Sequence, residues 1–114
     1  MRELGTQSGK QHQIIAKKIL ETCDMVILIG PLMQKFVASM LKNNNFLFYA
    51  FPTFTNAKDE ILKVIKSGDL ILVKSSQNTL FLERVVEMLL KNSKDKEKLC
   101  RRGEFWDKKR EQSL

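Results

Sequence analysis

The 114-residue sequence is poor in the residues that build metal centres, and it has no long apolar run. It contains one histidine and two cysteines, Cys23 and Cys100, which are far apart and form no Cys-x-x-Cys pair. A structural zinc site takes about four such ligands at short spacings, so no metal site is expected. No apolar run approaches the roughly 20 residues that cross a bilayer, and residues 2–13 are too polar for a signal peptide. The sequence therefore predicts a cytoplasmic protein, with Cys23 a buried reduced thiol.

Two nucleotide-binding motifs are also missing. Neither Gly-x-Gly-x-x-Gly nor Gly-x-x-x-x-Gly-Lys-[Ser/Thr] occurs, so the dinucleotide fingerprint and the phosphate-cradling P-loop are both absent. The lone His12 has no acid or nucleophile near it in sequence, and we expect a surface or capping role for it rather than catalysis. We predict no catalytic residue in this chain.

Size and composition indicate one ordinary globular domain, with 43% hydrophobic and 29% charged residues. The net charge is +7, and residues 91–114 hold nine Lys/Arg against five Asp/Glu, a net +4. A basic tail could bind nucleic acid, but the interspersed acids favour a solvated helix of mixed charge. We predict an α/β domain over residues 1–91 and a basic helical tail over residues 92–114.

The apolar pattern predicts helices alternating with strands, ending in a helix and the tail. The expected helices cover residues 11–23, 33–41 with a stop at Asn43-Asn44-Asn45, a segment capped by Thr55 and ended by Gly68, and 82–90. The expected strands cover residues 25–29, closed by Gly30-Pro31, 46–51 and 70–73. Such alternation is typical of a Rossmann-like open parallel sheet with helices on both faces.

The most informative stretch is Lys74-Ser75-Ser76-Gln77-Asn78, between the apolar run of residues 70–73 and an amphipathic helix. Free backbone N–H groups and the helix dipole favour negative charge at such a point. An ordinary strand-to-helix connection with a serine cap fits the same residues. The loop alone leaves both readings open.

Flanking residues carry a resemblance. They are Met1-Arg2-Glu3-Leu4-Gly5 with His12 downstream, Asp24-Met25-Val26-Ile27-Leu28-Ile29-Gly30-Pro31, Gly68-Asp69-Leu70-Ile71-Leu72-Val73 running into residues 74–78, and Leu82-Glu83-Arg84-Val85-Val86. In this order they resemble the C-terminal domain of the Mur ligases, specifically those that add D-alanyl-D-alanine to UDP-N-acetylmuramoyl-tripeptide. The resemblance covers most of residues 1–90, and residues 99–110 are similar to the tail of some bacterial members.

The resemblance implies a cytoplasmic step of peptidoglycan biosynthesis, in which ATP and Mg²⁺ activate a carboxyl group in the full-length ligase. This chain would bind no cofactor alone; its partners would be the central ATP-binding domain, the N-terminal UDP-substrate domain and D-alanyl-D-alanine. The implied substrate contacts are Lys74, Ser75, Ser76, Gln77, Asn78, Gly30 and Pro31, and the implied nucleotide or domain-closure contacts are Glu3, Gly5 and His12. The first strand of the family domain would lie upstream of Met1, which makes the chain a fragment.

One departure lies inside the loop, because the family usually has Lys-Gly-Ser where this chain has Lys74-Ser75-Ser76. Either the loop takes an ordinary backbone conformation, or substrate contact is altered or lost.

Two other classes remain open. A basic RNA-binding module would use the tail with Phe105 and Trp106 as stacking faces. A non-catalytic interaction domain would use residues 99–106 or an unpaired sheet edge, and such an edge would also allow self-association.

Overall fold

A computed structural model describes residues 4–75 and 80–112. The chain divides into two compact units, Met1–Val64 and Ile65–Leu114. Of the predicted site residues, Glu3, Ser76, Gln77 and Asn78 lie outside the described ranges. The predicted limits of 1–91 and 92–114 remain a prediction.

The first unit is an α/β unit with a parallel pair of strands. Strands β1 and β2 pair in register, with Val26 opposite Phe48 and Ile29 opposite Phe51. Its elements are a 3-10 helix Gly5–Gln7, α1 Ser8–Thr22, β1 Val26–Ile29, α2 Pro31–Phe36, α3 Ala38–Asn43, β2 Phe48–Phe51 and α4 Phe54–Val64. The α/β class and the parallel pairing are thereby confirmed, while a Rossmann-like sheet remains a prediction.

Burial of aliphatic side chains holds these elements together. Ala16 of α1, Leu28 of β1, Val37 and Leu41 form a buried cluster. Helix α4 adds the buried Ala57 and Ile61, and it packs against both strands. Each fully buried side chain of the size of leucine contributes about 1.5–3 kcal/mol, so this cluster is the main local source of stability.

The predicted helix over residues 33–41 is interrupted at one residue. Val37 has φ −105° and separates α2 from α3. Its N–H still donates to the Met33 carbonyl at 3.0 Å, and its carbonyl accepts from Leu41 N–H at 3.2 Å. The i to i−4 bonding therefore continues across Val37, and the two helices carry the one predicted apolar stripe.

Helix α3 ends in a Schellman motif, at the asparagine run where the sequence predicts a stop. Asn45 has φ +53°, its N–H donates to the Lys42 carbonyl at 3.1 Å, and Phe46 N–H donates to the Leu41 carbonyl at 3.0 Å. Phe46 also packs against the buried cluster that contains Leu41, which supplies the apolar contact that usually accompanies this motif.

The predicted cap of α4 was wrong by two residues. Thr55 lies inside α4, and Thr53 is the capping residue: its hydroxyl accepts from Asn56 N–H at 3.3 Å and donates to the Asn56 side-chain oxygen at 2.6 Å. A cap has to precede the first helical turn, because its oxygen serves an N–H that lacks a helical acceptor.

The prediction of a third strand at residues 70–73 was wrong. These residues belong to no helix or strand, and the Leu70 and Leu72 side chains are 101% and 88% exposed. An apolar run becomes a strand only when a neighbouring backbone accepts its hydrogen bonds, and within the described residues none does. Cys23 was also mispredicted: it is exposed, at the extended residue that follows α1.

The described residues of the second unit form α5 Glu83–Leu89 and α6 Glu104–Glu111, with a 3-10 helix Ser93–Lys98 between them. The predicted helical character of the tail is thus confirmed for residues 93–98 and 104–111. No helix among the described residues is long and apolar enough to cross a membrane.

Candidate functional site

The carboxyl ends of β1 and β2 meet at one edge of the first unit. Gly30-Pro31 follows β1, Pro52-Thr53 follows β2, and Gly30 N–H donates to the Phe51 carbonyl at 2.9 Å. Ligands of open parallel sheets bind beyond this edge, so it is where a substrate of the first unit would be sought.

Gly30 forms a turn that only glycine adopts without strain. It is buried with φ +104° and ψ 154°, and Pro31 opens α2 with a fixed φ that suits the first helical position. Its N–H is taken by Phe51, and its carbonyl accepts from Gln34 N–H at 3.2 Å. Since its N–H group is already bound to Phe51, Gly30 has no backbone donor left for a ligand.

His12 is fully buried, which corrects the expectation of a surface or capping residue. Its Nδ1 lies 2.7 Å from the Ser8 carbonyl oxygen, and its ring lies 5.4 Å from the Phe36 ring. Its Nε2 has no hydrogen-bond partner in the described part of the chain. Burial between a helix turn and an aromatic ring favours a packing role; the predicted nucleotide or closure contact remains a prediction, as it does for the exposed Gly5.

Lys74 and Ser75 are described at the start of the predicted loop. Lys74 is exposed and Ser75 is half-buried. Among the described residues, the non-glycine positions with positive φ are Asn45, Phe81 and Arg101, and Ser75 is not one of them. The φ angle at Ser75 therefore does not require a glycine. Whether substrate contact is altered or lost at this position stays an open prediction.

The second unit contains an ionic cluster that sequence reasoning missed. Glu83 is only 5% exposed, and the Arg101 guanidinium donates to both of its oxygens, Nε to Oε1 at 3.1 Å and Nη2 to Oε2 at 3.0 Å. Arg110 approaches the same carboxylate at 3.7 Å and donates to the Arg101 carbonyl at 2.8 Å. The cluster links Glu83, the first residue of α5, to Arg101 before α6 and to Arg110 near the end of α6.

A second pair extends this cluster by one helical turn. Arg102 donates to Glu87 at 2.8 Å, and Glu87 lies four residues after Glu83 on the same face of α5. Hydrogen bonding to Glu83 raises the pKa of Arg101 above its usual value, while burial lowers the pKa of Arg84. No local sequence pattern marked this arrangement, because Arg101 and Arg102 lie 18 and 15 residues after the acids that they bind.

The aromatic residues of the tail also pack within the second unit. The Trp106 ring lies 6.4 Å from Phe81 and 5.1 Å from Phe105, both edge to face. Lys109 lies 5.0 Å from the centre of the Phe105 ring. Trp106 is thus held by other side chains, while Phe105 is 61% exposed.

The described residues hold no group of three or more His, Cys, Asp or Glu side chains that could bind a metal ion. No family model, curated protein or solved structure matches this chain.

Proposed function

We propose that this chain is a substrate-positioning domain of an ATP-dependent ligase of the Mur type, one that joins D-alanyl-D-alanine to UDP-N-acetylmuramoyl-tripeptide. It acts in the cytoplasm with a central ATP-binding domain and an N-terminal UDP-substrate domain. The observation that carries this proposal is the ordered resemblance of residues 1–5, 24–31, 68–78 and 82–86 to that domain.

Local geometry supports the proposal at Gly30-Pro31. The glycine has φ +104° directly after a buried parallel strand, and this turn shapes the edge where ligands of such sheets bind. The ordinary backbone at Ser75 is compatible with a loop that presents Lys74 to an anionic group. Lys74, Ser75, Ser76, Gln77 and Asn78 are the residues proposed to meet the dipeptide carboxylate.

The chain has no turnover of its own under this proposal. Formation of the acyl phosphate needs phosphates held by Mg²⁺ and a P-loop, and the sequence contains no P-loop. Its contribution is orientation of the amine that attacks the activated carboxyl group.

The test is reconstitution. The purified chain is mixed with a Mur ligase lacking its C-terminal domain, together with ATP, Mg²⁺, UDP-muramoyl-tripeptide and D-alanyl-D-alanine. We expect amide formation in the mixture and none from either component alone. Turnover by the chain alone, or no gain in the mixture and in a covalent fusion, would contradict the proposal.

The RNA-binding alternative has less support. Arg101, Arg102 and Arg110 are engaged by Glu83, Glu87 and a backbone carbonyl, and Trp106 packs on Phe81. RNA binding would therefore depend on exposed lysines and Phe105, with a steep loss of affinity as salt rises. A filter-binding titration at two salt concentrations separates this alternative from the ligase proposal.

A further inference from the structure

Residues 70–73, called the 70–73 segment below, have the composition of a buried strand but the exposure of a surface loop. Leu70 is 101% exposed, Ile71 43% and Leu72 88%. Their backbone groups form no hydrogen bond within the described ranges. Consecutive exposed aliphatic side chains on an unpaired backbone are the features through which a strand pairs with another chain.

The matching feature is the outer edge of β1. Gly30 N–H donates to the Phe51 carbonyl, so every second residue back along β1 faces β2. Ile27 and Ile29 therefore direct their N–H and C=O groups away from β2. The described sheet has two strands, which leaves these groups without a strand partner in the part of the chain that the structure covers.

Composition selects the β1 edge over the β2 edge. Strand β1 is Val-Ile-Leu-Ile with Leu28 and Ile29 buried, whereas β2 is Phe-Tyr-Ala-Phe with no buried residue. Strands that are aliphatic throughout are usually internal in a sheet, with a neighbour on either side. In the described chain, β1 lacks that second neighbour.

We propose that the 70–73 segment of one copy adds as a third strand to the β1 edge of a second copy, reciprocally, in a closed dimer. A second copy is the fitting partner because each copy has one unpaired four-residue aliphatic segment and one unpaired four-residue aliphatic edge. Reciprocal pairing satisfies both segments and both edges, which closes the assembly at two copies. This proposal does not rest on the ligase function.

Charges at the ends of the segment select an antiparallel alignment. The segment is preceded by Asp69 and followed by Lys74, and β1 is preceded by Asp24 and Met25. Antiparallel pairing brings Lys74 to the Asp24 end of β1, whereas parallel pairing brings Asp69 there. Opposite charges across neighbouring strands stabilise a pair and like charges destabilise it.

The first test is sedimentation equilibrium of the full chain over a range of concentrations. We expect a monomer–dimer equilibrium that tightens as salt screens the repulsion between two copies of charge +7. Hydrogen exchange should show that the amides of residues 70–73 are protected in the dimer. Leu72→Lys should raise the dimer dissociation constant roughly tenfold or more.

Leu62→Lys is the matched control. Leu62 is a leucine of α4 that is 54% exposed, and its replacement adds the same charge outside the proposed interface. We expect this variant to leave the dissociation constant of the dimer within about twofold, because the new charge takes no part in the strand pairing. A dimer equally sensitive to both changes would overturn the assignment of the 70–73 segment.

Several other results would overturn the proposal. A chain that stays monomeric at every concentration would overturn it. This holds whether or not the backbone amides of residues 70–73 are protected from hydrogen exchange in that monomer. Open filaments would overturn the reciprocal closure. For the alignment, Lys74→Asp should weaken the dimer and Asp24→Lys in the same chain should restore it; a double variant as weak as Lys74→Asp would overturn the antiparallel arrangement.

Discussion

The Arg101 guanidinium forms a bidentate pair with the buried Glu83 carboxylate, although the two residues are 18 positions apart. A bidentate arginine satisfies both carboxylate oxygens in one plane and is the strongest geometry for such a pair. Leaving either charge buried without its partner is therefore costly.

We expect Glu83→Ala to destabilise the second unit by about 3–5 kcal/mol, because it removes the buried carboxylate to which the Arg101 guanidinium donates twice. Urea unfolding followed through Trp106, the single tryptophan, reports on this unit. Asp95→Asn, which removes the exposed pair with Lys98, is the control and should cost less than about 1 kcal/mol. Similar costs for both changes would contradict a special role for Glu83.

The Schellman motif makes a sharper prediction at Asn45. Asn45→Ala should cost about 1 kcal/mol, because alanine lacks the tolerance of asparagine for φ +53°, whereas Asn45→Gly should cost nothing. Thermal unfolding by circular dichroism measures both. Asn43→Ala is the control, because Asn43 is the last residue of α3 and does not have positive φ. We expect it to change stability little. An equal loss of stability in both alanine variants would contradict the role assigned to the positive φ of Asn45.

The buried His12 predicts a contrast between two substitutions. His12→Phe keeps a ring against Phe36 and removes the unpartnered Nε2, so it should change the free energy of unfolding by less than about 1.5 kcal/mol. His12→Ala leaves a cavity and should cost about 2–5 kcal/mol. Denaturant titration of both variants decides: equal effects would contradict a packing role.

Ser75→Gly tests the departure from the family pattern. Since Ser75 is not among the described residues with positive φ, glycine relieves no strain there, and its added unfolded-state freedom should cost about 0.4–1 kcal/mol. We expect no gain in amide formation by the reconstituted ligase. A higher kcat/KM with the glycine would show that the loop is restricted in its working state.

Lys74→Ala tests the anionic contact in the reconstituted ligase. Loss of a charge-assisted hydrogen bond should lower kcat/KM by the equivalent of about 1.5–3 kcal/mol. Lys66→Ala is the matched control, because Lys66 is another exposed lysine of the second unit. Unchanged kcat/KM for both ATP and the dipeptide would remove Lys74 from the proposed site.

The elements that the sequence predicted correctly are those marked by a local pattern of residues. The aliphatic run before Gly30 predicted β1, and the asparagine run predicted the end of α3. The 70–73 segment has an equally good strand pattern, but periodicity cannot say whether a partner edge is available. Whether an apolar run becomes a strand is decided by a neighbour elsewhere in the chain or in another copy.

The site shows the same division. Gly30-Pro31 was recognisable as the end of an apolar run, and β1 does end there. Its part in a binding site stays a prediction. The ionic cluster was not recognisable, because the charge pattern of the tail fits a solvated helix and says nothing of the acids on α5. The burial of Glu83 by Arg101 and Arg110 is a property of packing between helices, which composition alone does not contain.

The order of synthesis gives the Glu83 cluster a further consequence. The ribosome releases Glu83 before Arg101 and Arg110, so the nascent second unit carries a carboxylate that has to stay hydrated until both arginines have emerged. A message broken between codons 83 and 101 would yield a chain whose second unit cannot bury α5. Such a product would expose apolar side chains of α5, such as the buried Val85, to chaperones and proteases.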